Sequence, residues 1–495
     1  MFEAMVHGFA ELMNPDRMAF LTFGVLVGMA LGAIPGLGGI VGLAILLPFT
    51  FDMDRTSALA MLVALTSVPT TTDTIPSVLF AVPGTVGSQA TILDGHPMAR
   101  KGEAGRAFGA AYLASMLGGV IGAACLGLLI PILRPVVLYF AAPELFALGV
   151  MGISMVAILS GNVPIKGIIA GGLGLLLAMI GTDMQEGMLR WTFGTIYLID
   201  GLNIVVVSLG LFAIPEIADM VIEGASISGV AKAEMKGVGH GMRDVFTHWW
   251  LMLRCSFLGV WIGILPGLGS AVVDWIAYGH ARQTCKDAAA TFGRGDVRGV
   301  IAPESANNAK QGGALVPTLA FGVPGSASMA LLIGAFLIHG IQPGPEMLTK
   351  YLDVTYAIVW STAIANIMAT GLALLFTNQL AKLSTVRIHL LAPLVMIVVF
   401  LAAYQATVSM GDLITLLAIG ALGWIMKRCG WPRPPLLLGF VLGALVERYV
   451  FISVKAYGWS WLTRPLVVAI FLITVVTLVY SVYQERKVQK VSAGR

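Results

Sequence analysis

Pro35-Gly36-Leu37-Gly38 is written a second time as Pro266-Gly267-Leu268-Gly269, and Pro76-Ser77-Val78-Leu79-Phe80-Ala81-Val82-Pro83-Gly84-Thr85 returns as Pro317-Thr318-Leu319-Ala320-Phe321-Gly322-Val323-Pro324-Gly325-Ser326. The offsets, 266 − 35 = 231 and 317 − 76 = 241, are nearly equal, so two copies of one structural unit make up the chain. Both signatures lie in apolar sequence. Proline has no backbone donor and glycine orders its backbone at a high entropic cost, so each signature breaks a helix where unpaired amides are expensive. Such breaks persist where the freed groups line a cavity or meet a ligand, and matched interruptions in two halves mark a transporter's binding site.

The surroundings are those of a membrane protein. Of 495 residues, 57% are hydrophobic and 11% charged, against about 25% charged in a soluble domain. Uncharged runs from 18 to 51, 108 to 133, 145 to 165, 354 to 381, 390 to 411 and 465 to 484 reach or exceed the roughly 20 residues of a crossing helix. With shorter apolar stretches added, the reading is an all-α polytopic membrane protein of about ten to twelve transmembrane helices, built as two inverted-topology repeats with broken or re-entrant helices.

Residues 1–17 form an interfacial N-terminal segment, with Phe2, Met5, Val6, Phe9 and Met13 on one helical face and no cleavable signal peptide. The first repeat is 18–214, a linker of eight charged residues is 215–247, the second repeat is 248–484, and a tail follows at 485–495. No stretch is long and polar enough for an attached soluble domain. The net charge of +4 is small and dispersed and does not point to nucleic acid. Cys125, Cys255, Cys285 and Cys429 are isolated, without a CxxC pair or clustered histidines, so no metal or other cofactor is expected.

Basic residues supply the orientation. In the first half Arg100, Lys101 and Arg106 follow the second signature; in the second half Arg282, Lys286, Arg294 and Arg298 lie between the signatures. Lys and Arg favour cytoplasmic loops, so equivalent segments face opposite sides of the membrane and the repeats are inverted. Arg486, Lys487, Lys490 and Arg495 place the tail in the cytoplasm by the same rule.

The chain resembles the large membrane subunit of the tripartite tricarboxylate transporters over nearly its whole length. The likeness rests on the two signatures and on Asp94-Gly95-His96-Pro97-Met98-Ala99 with Gly105-Arg106. In the second half it rests on Phe292-Gly293-Arg294-Gly295, Ala302-Pro303-Glu304-Ser305-Ala306-Asn307-Asn308-Ala309, Gly312-Gly313-Ala314 and His339-Gly340-Ile341-Gln342-Pro343-Gly344-Pro345. The resemblance implies a multi-pass secondary transporter of the bacterial inner membrane. It further implies a small transmembrane subunit and a periplasmic substrate-binding protein as partners, an organic di- or tricarboxylate as cargo, and an ion gradient as driving force, protons ahead of sodium. Thr71-Thr72-Asp73-Thr74 stands where family members often carry Tyr-Gly-Gly-Ser, and Ala81 where they carry Asn, which separates the class of cargo from citrate itself.

Holding two or three negative charges in a low-dielectric slab is the physical problem. A permanent Lys or Arg there is expensive to bury and slow to release an anion. Half-helix N-termini offer N–H groups and partial positive charge instead, and small residues let a carboxylate reach the backbone. The substrate-binding candidates are therefore Gly36, Gly38, Gly84, Thr85, Gly267, Gly269, Gly325 and Ser326, with Thr71, Thr72, Ser88, Asn307, Asn308 and Ser328 as side-chain donors. Most other glycines are read as helix packing. The ion-coupling candidates are Asp73, then Asp274, then Glu304, since a buried carboxylate can carry a proton; His96 and His339 are read as loop residues. The competing class is the membrane subunit of an ATP-driven importer with a separate ATPase, since the chain has no G-x-x-x-x-G-K-[ST] loop. A channel filter and the hydrolase motifs His-Glu-x-x-His and Gly-x-Ser-x-Gly are absent, so no enzyme is expected.

Overall fold

The computed structural model describes residues 1–159, 163–183, 185–223, 235–266, 270–386 and 388–493. Among them the chain is helical almost throughout, the strand pair Gly181–Thr182 and Leu189–Arg190 being the exception. Among the described residues seven helices are long and apolar enough to cross a membrane, or eight if the pair Val238–Thr247 and Trp249–Ile264, bent by 78°, is one span. Six shorter apolar helices accompany them, so the expected ten to twelve is reached only by counting some of these as crossings. Backbone hydrogen bonds closed within each segment are what hydrocarbon demands. The 215–247 stretch is helical where described except at 235–237: Ile214–Glu223 continues an apolar helix, and Val238–Thr247 leads into the second repeat. The Phe2–Leu12 helix packs on Leu352–Ser384, with Trp360 Nε1 donating to Met5 O at 3.1 Å.

The longer signature, 76–85 and 317–326, builds the same backbone twice. The helix Thr74–Phe80 ends on Ala81 at φ +54°, and Arg298–Phe321 ends on Gly322 at φ +67°. The next amide then turns back in both copies: Val82 N–H donates to Pro76 O at 3.4 Å, and Val323 N–H to Pro317 O at 3.2 Å. Thr85 caps the following turn through Gly87 N–H, and Ser326 caps the helix Ala327–Ile338 through Met329 N–H. A hydroxyl at the N-cap satisfies one of the amides a helix start leaves unpaired. Helix packing repeats as well. A Cβ on Gly28 or Gly32 would lie 2.8 or 2.4 Å from Leu65 O or Pro69 O. On Gly259 or Gly263 it would lie 2.1 or 2.4 Å from Ala306 O or Lys310 O, the equivalent carbonyls. Glycine at these four positions lets the backbones touch.

The two copies run in opposite directions. The loop leading into the first repeat's broken helix meets the end of the second repeat's trailing helix, with His339 Nε2 at 3.1 Å from Thr50 Oγ1. Conversely, the leading loop of the second repeat meets the trailing helix of the first: Lys101 Nζ donates to Arg294 O at 2.5 Å. The Ala104–Val137 helix, 34 residues and about 50 Å long at 1.5 Å per residue, separates these places. It starts near the second, where Arg106 pairs with Asp244 at 2.6 Å, and ends at Arg134, whose guanidinium meets Met1 Sδ at 3.5 Å. From Met1 the N-terminal helix leads to the ion pairs of Glu11 and Asp54 with Arg17, beside the first. Corresponding loops thus lie at opposite ends of the bundle, as the exchange of basic residues anticipates.

Cysteine labelling checks which end faces which compartment. In a background lacking the four native cysteines, Gly102→Cys and Ala289→Cys, both exposed, are expected to react from the cytoplasmic side. Asp52→Cys and Thr349→Cys, exposed at the other end, are expected to react from outside. All four reacting from one side would refute the inverted arrangement.

Candidate functional site

At the first break the chain surrounds a cavity of about 510 Å³. One wall is the first signature: Gly36 at φ +88° and Gly38 at φ +42° form a turn in which an added Cβ would touch nothing within 4 Å. Gly36 N–H meets Gly84 O at 3.4 Å, which joins that turn to Pro83, Gly84 and Thr85 of the second signature, also in the wall. The second repeat contributes Gln311 and Ser328. Cations close the remaining side. Lys427 Nζ lies 2.7 Å from Glu216 Oε2, and Arg433 Nη2 lies 2.9 Å from Glu216 Oε1.

Lys427 and Arg433 line this cavity although no permanent Lys or Arg is expected beside the breaks. Glu216 pairs with both, Asp219 also pairs with Lys427, and Leu211 O, in the five-residue π-helical stretch Leu209–Ala213, accepts from Arg433 Nη1 at 3.1 Å. A charge paired and hydrogen-bonded in this way escapes most of the burial penalty. Sequence reading passed over these residues because Glu216 stands in a charged stretch that reads as a linker, and Lys427 and Arg433 flank helix ends. The signal available was the Trp431-Pro432-Arg433-Pro434-Pro435 run, a cation held between prolines.

The other expected site residues divide by position. Gly36, Gly38, Gly84, Thr85 and Ser328 line the cavity. Gly84 also packs, since its missing Cβ faces Asp73 Cα at 2.6 Å. Thr71 accepts from Asn308 Nδ2 at 3.0 Å, Thr72 donates to Met29 O at 2.8 Å, and Ser77 donates to Ser88 at 2.9 Å, so these side chains tie helices together. Asn307 Nδ2 donates to Gly87 O at 3.0 Å, joining the second repeat to the first break. Ser326 touches Ser328 at 3.3 Å, and Gly325 N–H meets Thr318 Oγ1 at 3.3 Å in the buried second break. Gly267 and Gly269 lie outside the described residues.

All three expected carboxylates are buried. Asp73 Oδ2 accepts from the Thr85 hydroxyl, which lines the cavity, while Oδ1 has no partner among the described residues. Asp274 Oδ2 accepts from Ala90 N–H at 3.0 Å and caps the trailing helix Gln89–Arg100. Glu304 accepts from Thr91 at 2.7 Å and Ser115 at 2.9 Å. A fourth carboxylate, Asp94, accepts three amide N–H groups of the opposite repeat, from Gly293, Gly295 and Asp296 at 2.8 to 2.9 Å, and the Tyr278 hydroxyl at 2.9 Å. Asp94-Gly-His-Pro and Phe292-Gly-Arg-Gly are thus two sides of one contact. His96, expected in a loop, lies within the helix Gln89–Arg100 with Nδ1 3.0 Å from Val78 O, and His339, at the end of Ala327–Ile338, meets the Thr50 hydroxyl. The charge is one-sided: Asp73, Asp94, Asp274 and Glu304 correspond by the repeat offsets to Ala314, Ala335, Leu43 and Val63.

A profile described as the tripartite tricarboxylate transporter TctA family matches residues 18–438, across both breaks and the cavity. The chain belongs to that family. It is 31% identical over 486 residues to an Agrobacterium vitis protein described as "Uncharacterized 52.8 kDa protein in TAR-I ttuC' 3'region", covering 97% of this chain and 96% of the relative. A second Agrobacterium vitis protein, "Uncharacterized protein in TAR-II ttuC' 3'region", is 34% identical over 192 residues, 39% of this chain and 79% of the relative. No solved structure matches. As a TctA-family transporter the chain is a multi-pass membrane protein, and its broken helices surround the cavity just described.

Proposed function

We propose that this chain is the permease subunit of a secondary, ion-gradient-driven importer of organic di- or tricarboxylates in the bacterial inner membrane. A periplasmic binding protein delivers the substrate, and a small transmembrane subunit completes the assembly. The observation that carries this reading is the cavity wall itself, where the positive-φ Gly36–Gly38 turn faces the same space as Lys427, Arg433, Thr85 and Ser328. The glycine turn and the Thr85 and Ser328 hydroxyls hold one carboxylate; the cations neutralise another.

Asp73 links an ion to this site. With Asp73 ionised, the Thr85 hydroxyl donates to it. Once protonated, Asp73 donates to Thr85 Oγ1 instead, and the freed hydroxyl proton turns to the carboxylate in the cavity. Proton and anion binding then reinforce each other. Asp73→Asn is expected to keep the hydrogen bond and exchange of substrate but to lower gradient-driven accumulation severalfold. Equal accumulation by variant and parent would remove Asp73 from coupling.

Uptake in vesicles containing this chain, with and without its two partners, tests the whole reading. Labelled mono-, di- and tricarboxylates should enter only with the partners present, and accumulation should fall when the proton or the sodium gradient is collapsed. Accumulation that follows ATP and ignores both gradients would establish the ATP-driven class instead.

A further inference from the structure

We infer that Glu216 is a placeholder carboxylate: it pairs with the cations at one end of the cavity and is displaced there by a carboxylate of the cargo. This rests on the carboxylate-transport reading above and assigns the recognition of one cargo group to Lys427 and Arg433. Both Glu216 oxygens are engaged, one with each cation, in the geometry that a substrate carboxylate would adopt. All three residues line the cavity.

The neighbouring charges make the exchange feasible. Lys427 also meets Asp219 Oδ2 at 2.7 Å, and Asp219 Oδ1 accepts from Arg428 at 3.0 Å and from Trp424 Nε1 at 3.1 Å. Three cations therefore face two carboxylates, and Asp219 stays anchored when Glu216 leaves. Arg433 keeps Leu211 O and the Phe212 ring, 5.3 Å from its guanidinium, as fixed supports. Glu216 follows the π-helical stretch Leu209–Ala213 by three residues, and such local unwinding is common at functional sites. An internal competitor also answers the release problem, because Glu216 returns to the cations as the cargo departs.

The sign of the effect separates this role from a structural ion pair. Glu216→Gln removes the competitor and is expected to bind labelled citrate or succinate about tenfold more tightly, with slower release. Arg433→Gln is expected to bind them at least tenfold more weakly. Glu216→Asp, which draws the carboxylate back by one methylene, should fall between parent and Glu216→Gln. Binding is measured on the purified full chain, alongside its thermal midpoint. If Glu216→Gln or Glu216→Asp binds with parental or weaker affinity at a parental midpoint, the placeholder is overturned while the transport reading stands. A parent that binds no carboxylate overturns both.

Discussion

Asp94→Ala is expected to abolish recovery of a stable protein, although Asp94 lies away from the cavity wall. Its carboxylate gathers three amides and a tyrosine hydroxyl from the other repeat. Removing it leaves four donors without their acceptor, at about 1 kcal/mol or more each, a large share of an ordinary folding free energy of about 5–15 kcal/mol. Asp94→Asn retains one carbonyl oxygen for the amides and should be intermediate. Thermal melting and size-exclusion behaviour in detergent check this; a parental melting curve for Asp94→Ala would refute the interlock.

The second large effect concerns glycines that look alike in sequence. Gly84→Val and Gly325→Val are expected to prevent correct folding, because the added Cβ would lie 2.6 Å from Asp73 Cα and 2.8 Å from Ala314 Cα, neither of which is a movable side-chain tip. Gly36→Ala and Gly38→Ala meet open space and carry only the left-handed backbone penalty of about 1–2 kcal/mol. These variants should fold, insert and lose most carboxylate affinity. Measuring folded yield and substrate binding on all four decides the matter. Equal yields across the set would refute the packing assignment, and unaltered affinity in Gly36→Ala and Gly38→Ala would return that turn to structure.

Much of the architecture is legible because proline and glycine speak directly about backbone. The two breaks and their recurrence follow from that alone, and the first turn lines the cavity. The inversion followed from where Arg100, Lys101, Arg294 and Arg298 stand. What could not be read was partnership. Glu216 and Lys427 are 211 residues apart, and nothing local to either announces the other. Asp94 and the 292–298 loop were both conspicuous, yet their link depends on three amides converging on one oxygen, a property of folded backbone. Likewise Thr71, Thr72, Ser88 and the Asn308 amide have the chemistry of ligand donors, and only their neighbours reveal that they bond within the fold.

Because each repeat's leading loop rests on the other's trailing helix, and Asp94 fastens one such contact, the unit of duplication is not a unit that completes its own contacts. Severing the chain within 224–234 would therefore yield two fragments that complete each other, with function returning only when both are made together.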